Sequence, residues 1–341
     1  MKHNPDTGAP DFFVFARNFL HSYLPKVRKS SPATITAYRL SLECFLAFVT
    51  NHNQKNRGQI TFDDCNRDTV KAWLEWMNTE KSYAPTTVTL RLTAMRTFLN
   101  FAANEDLTLV AVAQAAAGVK PPRTPHRPIE YLDTTQTRAL LGAFDMRTTK
   151  SRRNHMMLIL LYDTALRVSE LTGLTCADVQ LTSPAQVRVH GKGNTIRIVP
   201  ITTRTVEHLT SYLAEFHPGQ ISTDRPLFYT HHQGQVSGMS TDSVSLIVHQ
   251  AAAKARTECH SIPLRVHPHM LRKTKAMDLY QDGIPLPIIM RLLGHTNAST
   301  TETFYAFATL DMMRQAINAA TPTPGVPDLT NTQLDSLYSL R

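Results

Sequence analysis

Cysteine is scarce in this chain, and long apolar runs are absent. Four cysteines among 341 residues, Cys44, Cys65, Cys176 and Cys259, stand far apart with no Cys-x-x-Cys spacing. That favours reduced thiols, as in a cytosolic protein, over a disulfide framework. No stretch approaches the roughly eighteen apolar residues of a membrane-crossing helix. The opening MKHNPDTGAPDFF has no apolar core of the signal-peptide kind. The expectation is a soluble, cytoplasmic protein without membrane contact. The pattern G-x-x-x-x-G-K-[ST] does not occur, so no nucleotide-binding loop is expected. There is no internal repeat.

What the chain has is positive charge. Lysine and arginine number 36 against 27 aspartate and glutamate, a net +9 spread along the whole length. A distributed basic surface points to a polyanionic partner, nucleic acid first among them. The length exceeds one small core and fits two domains.

The pattern predicts a mainly α-helical chain with a small antiparallel β-hairpin. Phe12, Phe13, Phe15, Phe19 and Leu20 mark a first helix ending near Pro25. Pro32 and Thr34 open a second, with Tyr38, Leu42, Phe45, Leu46 and Val49 at helical spacing. A third runs from about Asp68 to Asn78, and a fourth opens at Ala84-Pro85-Thr86-Thr87. Arg91 and Arg96 fall off the apolar stripe of that fourth helix. They suit either a backbone phosphate or plain solvent. This helical block, residues 1–118, is the size of an independent domain. Residues 119–130 follow as a basic, proline-rich spacer with Lys120, Arg123 and Arg127, too rich in proline for helix or central strand. Residues 131–320 form the second domain, and 321–341 a tail with Leu334, Leu337 and Tyr338 on one face of a possible docking helix.

In the second domain, Asp133-Thr134-Thr135 suits a helix start before Thr137 to Phe144. An apolar helix from His155 to Thr164 leads into TALRVSEL. Val187, Val189, Ile196, Ile198 and Ile201 flank a Gly191-Lys192-Gly193-Asn194 turn, a β-hairpin signal. Helices are expected near 203–216, 240–256, 269–281, 285–293 and 300–318.

Candidate chemistry concentrates between His267 and Tyr305. His269 and Arg272 are three apart and share a helix face at its start, where free N–H groups favour an anion. His295 closes LLGH, and Tyr305 follows TTETF. Upstream, Arg167 lies in TALRVSEL and Lys192 at the hairpin tip. Each has a plain alternative. Arg167 suits an ion pair with Glu170 or Asp163, Lys192 an exposed turn, His295 a helix C-terminus and Tyr305 a packed tyrosine. The spacings among Cys259, His260, His267 and His269 fit no standard zinc pattern, so no metal and no cofactor is expected.

Taken in order, TALRVSEL, GKGN, HPHMLRK, LLGH and TTETFY resemble the motifs of the tyrosine recombinases, or phage integrase family, which includes the Xer-type enzymes. The resemblance spans roughly residues 10–320. It implies a helical core-binding domain followed by an α+β catalytic domain. It identifies Arg167, Lys192, His269, Arg272, His295 and Tyr305 as the catalytic set. Three departures stand out. Ala165 replaces a common glycine, Lys273 replaces a histidine after Arg272, and the interval from His295 to Tyr305 is one residue longer than the commonest spacing.

The resemblance further implies site-specific DNA recombination or integration through a 3′-phosphotyrosyl link at Tyr305. The ester conserves the phosphodiester's energy, so neither ATP nor metal is needed. The implied partner is double-stranded DNA at a specific recombination site, held by a dimer per site and a homotetramer across two duplexes. The implied setting is the bacterial cytosol or nucleoid, on a mobile element or chromosome. A non-cleaving sequence-specific DNA-binding protein is the alternative from another class, and a topoisomerase or telomere resolvase the alternative of like chemistry.

Overall fold

The computed structural model describes residues 10–123, 130–191, 195–219, 224–232 and 234–294, with Thr330 and Thr332. The chain divides into two compact units, Met1–Arg127 and Pro128–Arg341. The expected helices at 300–318 and 334–338 lie outside the described residues.

The first unit is helical: α1 (Phe12–Asn18), a π-helical extension Phe19–Val27, α2 (Pro32–His52), α3 (Arg67–Thr79), α4 (Pro85–Glu105) and α5 (Val110–Ala117). The starts of α1 and α2 are capped by side chains. Asp11 accepts from the N–H groups of Phe13 and Val14, and Ser31 from that of Thr34 just after Pro32. Phe12, Phe15, Phe19, Phe62 and Phe98 pack as a mutually contacting aromatic core, with Phe12 edge-on to Phe98 at 5.2 Å. Such edge-to-face pairs add to the stabilisation from burial. Helix α5 has no counterpart in the sequence reading. Its VAVAQAAA lacks an apolar stripe, and only Ala113 and Ala116 are buried.

The second unit is built on α7 (Thr149–Asp163), which packs against α6 (Thr134–Gly142), α8 (Val168–Thr172), α9 (Thr203–Phe216) and α11 (Pro268–Gln281). Met156, Met157, Leu158, Leu160 and Leu161 are all buried, so the second half of α7 is apolar nearly all round and forms the centre of the core. It begins six residues before the expected His155. Thr148 caps it by accepting from the Ser151 N–H, and its first turns are too polar to show periodicity.

Strands β1 (Val179–Gln180), β2 (Gln186–His190) and β3 (Ile196–Pro200) form an antiparallel sheet in that order. A second hairpin, β4 (Tyr229–His232) with β5 (Gln235–Gly238), was not anticipated, because its sequence is polar and does not alternate. Helices α10 (Thr241–Ala255) and α12 (Leu286–Leu293) complete the unit.

The register of the first hairpin pairs Val187 with Val199 and Val189 with Arg197. Val187, Val189 and Val199 therefore face the core together with Arg197. Ile196 and Ile198, 58% and 50% exposed, face outward. Successive strand residues alternate faces, so this isoleucine pair marks the outer side of the sheet.

Candidate active site

Helix α7 ends at a sharp turn. Ala165 is fully buried and has φ +51°, a left-handed conformation costing an L-residue roughly 1–2 kcal/mol. Glycine takes it without strain, which accounts for the common glycine there. The Ala165 carbonyl accepts from Nη1 of Arg272 at 2.8 Å.

Two residues on, Arg167 caps α8. Its N–H donates to Oε2 of Glu170 and its Nη1 to Oε1, both at 2.8 Å. Of the two partners open to Arg167, then, the structure shows Glu170. Asp163 instead accepts from Thr202, Thr205 and Lys275. Among the described residues, Glu170 alone takes a bond from the Arg167 guanidinium, which is 39% exposed.

His267 caps α11 through Nδ1, which accepts the Met270 N–H at 3.2 Å. His269 and Arg272 follow one turn apart. Arg272 is buried, at 2% exposure. Its Nη2 donates to the Leu293 carbonyl at the end of α12, and its Nη1 lies 3.9 Å from Oε2 of Glu170. Helix α12 closes on Gly294, φ +63°, a left-handed cap one residue before His295.

Glu170 is the point on which this geometry converges. At 4% exposure it meets Arg167, Arg272 and a third guanidinium, Arg197 of β3, whose Nη1 and Nη2 each donate to one carboxylate oxygen at 2.8 Å. Burial alone would raise the Glu170 carboxyl. The bonds from Arg197 and Arg167 outweigh it and bring the pKa down to about 2. Three guanidiniums around one carboxylate leave two positive charges in excess, suited to an anion with oxygens to share.

His269 is exposed by surface area yet backed by protein on one side. Loss of water there, then the charges of Arg272, Lys273, His267 and Arg167, lower its pKa from 6.5 to about 4. The imidazole is therefore neutral at pH 7 and able to accept a proton.

Lys192, His295 and Tyr305 lie outside the described residues. The hairpin carrying Lys192 is closed by the Gly191 N–H donating to the Thr195 carbonyl at 2.7 Å. Among the described residues, no three His, Cys, Asp or Glu side chains converge as metal ligands. No described helix is long and apolar enough to cross a membrane.

The basic residues of the first unit divide into two kinds. Arg96 donates to the carbonyls of Ala116, Ala117 and Val119 at the end of α5. Arg91 donates to the Leu40 carbonyl and stacks on Tyr83 at 4.7 Å. Both guanidiniums thus serve the fold of the unit. Lys120 and Arg123 are exposed, and Arg127 is outside the described residues.

Sequence reasoning missed Arg197. The signal was its spacing of two from Val199, which puts an arginine on the inward face of a strand.

Residues 130–310 match the model of the phage integrase family, and residues 18–106 that of the phage integrase N-terminal SAM-like domain. A putative integrase/recombinase, y4rC, of Sinorhizobium fredii is 30% identical over 90% of this chain and 91% of its own length. Tyrosine recombinase XerC of Bacillus pumilus is 29% identical over 86% of this chain and 92% of its own. Among solved structures, the Tn1549 transposon integrase bound to transposon right-end DNA superposes with a TM-score of 0.67 at 17% identity, covering 90% of this chain and 98% of that one. The XerH site-specific recombinase bound to its difH substrate superposes with a TM-score of 0.62 at 18% identity, covering 87% and 83%. A mostly helical pair of units, an arginine cluster around the buried Glu170 and matches along nearly the whole chain agree: the chain belongs to the phage integrase family and is a Xer-like tyrosine recombinase, an enzyme of site-specific recombination.

Proposed function

We propose that this recombinase cuts and rejoins double-stranded DNA at a specific site, with Tyr305 as nucleophile. The observation that carries the reading is the convergence of Arg167 and Arg272 on Glu170, with His269 one turn from Arg272.

In this mechanism the Tyr305 oxygen forms a bond to the scissile phosphorus as the bond from phosphorus to O5′ breaks. The tyrosine proton passes to His269, already neutral at pH 7, and Lys192 supplies a proton to the departing O5′. Arg167 and Arg272 hold the nonbridging oxygens, whose charge grows in the transition state, and His295 orients the phosphate. Rejoining reverses these steps with a new 5′-hydroxyl, so the count of phosphodiester bonds is unchanged.

Residues 1–118 act as the core-binding domain, 119–130 as the linker and 131–320 as the catalytic domain. Lys120, Arg123 and Arg127 contact backbone phosphates and add salt-dependent affinity. Exchange between two duplexes calls for a dimer on each and a tetramer in all, with 321–341 docking onto a neighbour.

A nicked suicide substrate, which loses the 5′-hydroxyl fragment after cleavage, tests the central step. The wild type is expected to accumulate a covalent protein–DNA complex and Tyr305→Phe none. Equal accumulation in both would refute Tyr305 as nucleophile. Specific binding with no covalent complex in either would favour a non-cleaving DNA-binding protein.

A further inference from the structure

Glu170 has two oxygens and, with them, about four acceptor positions. Arg197 takes one on each oxygen in a fork-to-fork pair, and Arg167 fills one more with Nη1 and another with its backbone N–H. The two arginines are placed very differently. Arg197 also donates from Nε to the Leu292 carbonyl at 2.9 Å. All three nitrogens of its guanidinium are thus engaged inside the protein, and the side chain is 14% exposed. Arg167 spends one guanidinium nitrogen on Glu170 and is 39% exposed. Among the described residues its Nε and Nη2 have no partner.

A buried carboxylate with one charge competes with any phosphate for the guanidinium beside it. Without Arg197, the arginine best placed to compensate Glu170 is Arg167, since Nη1 of Arg272 is 3.9 Å away. Arg167 would then close on both oxygens, the geometry a guanidinium and a carboxylate favour, and be withdrawn from substrate.

We propose that Arg197 is a positioning residue: by satisfying Glu170 in a bidentate pair it leaves the Arg167 guanidinium available to the scissile phosphate. Through the Leu292 carbonyl it also holds the end of α12 against β3, where Gly294 leaves room for its side chain. A Cβ on Gly294 would stand 3.1 Å from Cδ of Arg197 and 3.2 Å from its Nη1. The proposal rests on the reading that Arg167 holds a nonbridging oxygen, and its test separates the two.

The experiment measures single-turnover cleavage of two nicked suicide substrates, one with the ordinary scissile phosphate and one with a methylphosphonate there. The methyl group removes the negative charge that an arginine would neutralise. Arg197→Gln is expected to slow cleavage of the phosphodiester about 100-fold, the effect of losing one donor to a developing oxyanion. On the methylphosphonate it is expected to match the wild type, as Arg167→Ala does. Arg197→Lys, which keeps the charge and loses the fork, is expected to fall between.

Equal slowing of Arg197→Gln on both substrates, with Arg167→Ala relieved by methylphosphonate, would overturn the proposal and leave the role of Arg167 standing. Failure of methylphosphonate to relieve Arg167→Ala would remove the role of Arg167 and the proposal with it. Should Arg197→Gln fold poorly, the double variant Arg197→Gln with Glu170→Gln decides. With no carboxylate to capture Arg167, it is expected to cleave the phosphodiester about tenfold faster than Arg197→Gln alone, a difference of roughly 1.4 kcal/mol in activation free energy. A double variant no faster than the single one would overturn the proposal.

Discussion

Replacing Glu170 with glutamine keeps its shape and removes the charge on which three guanidiniums converge. The cost follows from its titration. A carboxyl displaced from 4.5 to about 2 contributes about 3 kcal/mol at neutral pH, at 1.36 kcal/mol per pH unit. Breaking a buried ion pair on one side costs about 3–5 kcal/mol, the same order. The sign follows from the lowered value. Between pH 4.5 and about 2 the unfolded chain takes up the proton before the folded one, so the contribution is complete above 4.5 and lost as pH falls through 2. Both tryptophans, Trp73 and Trp76, lie in the first unit, so their fluorescence does not report on this site. Amide hydrogen exchange of α7 and α8 does. Glu170→Gln is expected to lower the opening free energy there by about 3 kcal/mol at pH 7, with the gap to wild type closing as pH falls toward 2. Equal protection at pH 7, or a gap that does not change with pH, would refute the reasoning.

Three further outcomes are expected. Arg96→Met removes three charge-assisted bonds to the end of α5 and is expected to lower the stability of the first unit by about 3 kcal/mol in denaturant melts followed by tryptophan fluorescence. The salt slope of DNA binding is expected to stay unchanged, whereas loss of a phosphate contact lowers it by about 0.9. Gly294→Ala and Gly283→Ala impose the same left-handed penalty of about 1 kcal/mol. Only Gly294 has Arg197 against it, so its variant is expected to lose more thermal stability than that of Gly283. For His269, lowered to about 4, a single-turnover cleavage profile is expected to be flat above pH 6.5 and to decline on the acid side as the imidazole takes a proton. His269→Gln is expected to be slower and to lack that decline; an unchanged profile would exclude His269 as the base.

Much of this fold could be read from local pattern. The central helix announced itself through MMLILL, and the first hairpin through branched residues around two glycines. The aromatic spacing from Phe12 to Leu20 marked a buried helix face. Alanine-rich α5 and polar β4–β5 gave no such signal, because nothing in their own residues distinguishes a buried side. They are held by what packs on them. The site was legible as a set of residue types in order, and for Arg167, His269 and Arg272 the structure adds how they are arranged. Arg167 read alone suited an ion pair, and it makes one with Glu170. That pair is one arm of a cluster whose other arms, Arg197 and Arg272, arrive from 27 and 102 residues later in the chain. No local pattern contains such a convergence. Arg91 and Arg96 show the converse, since residues off an apolar stripe looked open to a phosphate, yet both bond backbone carbonyls distant in sequence.

The central claim, that Tyr305 becomes joined to DNA, is tested most directly by locating the adduct. Trypsin digestion of the trapped complex leaves residues 292–314 as one peptide, in which Tyr305 is the only tyrosine; Tyr338 falls in the next, 315–341. Mass spectrometry is expected to find a nucleotide joined through its 3′-phosphate to the 292–314 peptide at Tyr305. An adduct on any other peptide, or a link through a 5′-phosphate, would contradict the account.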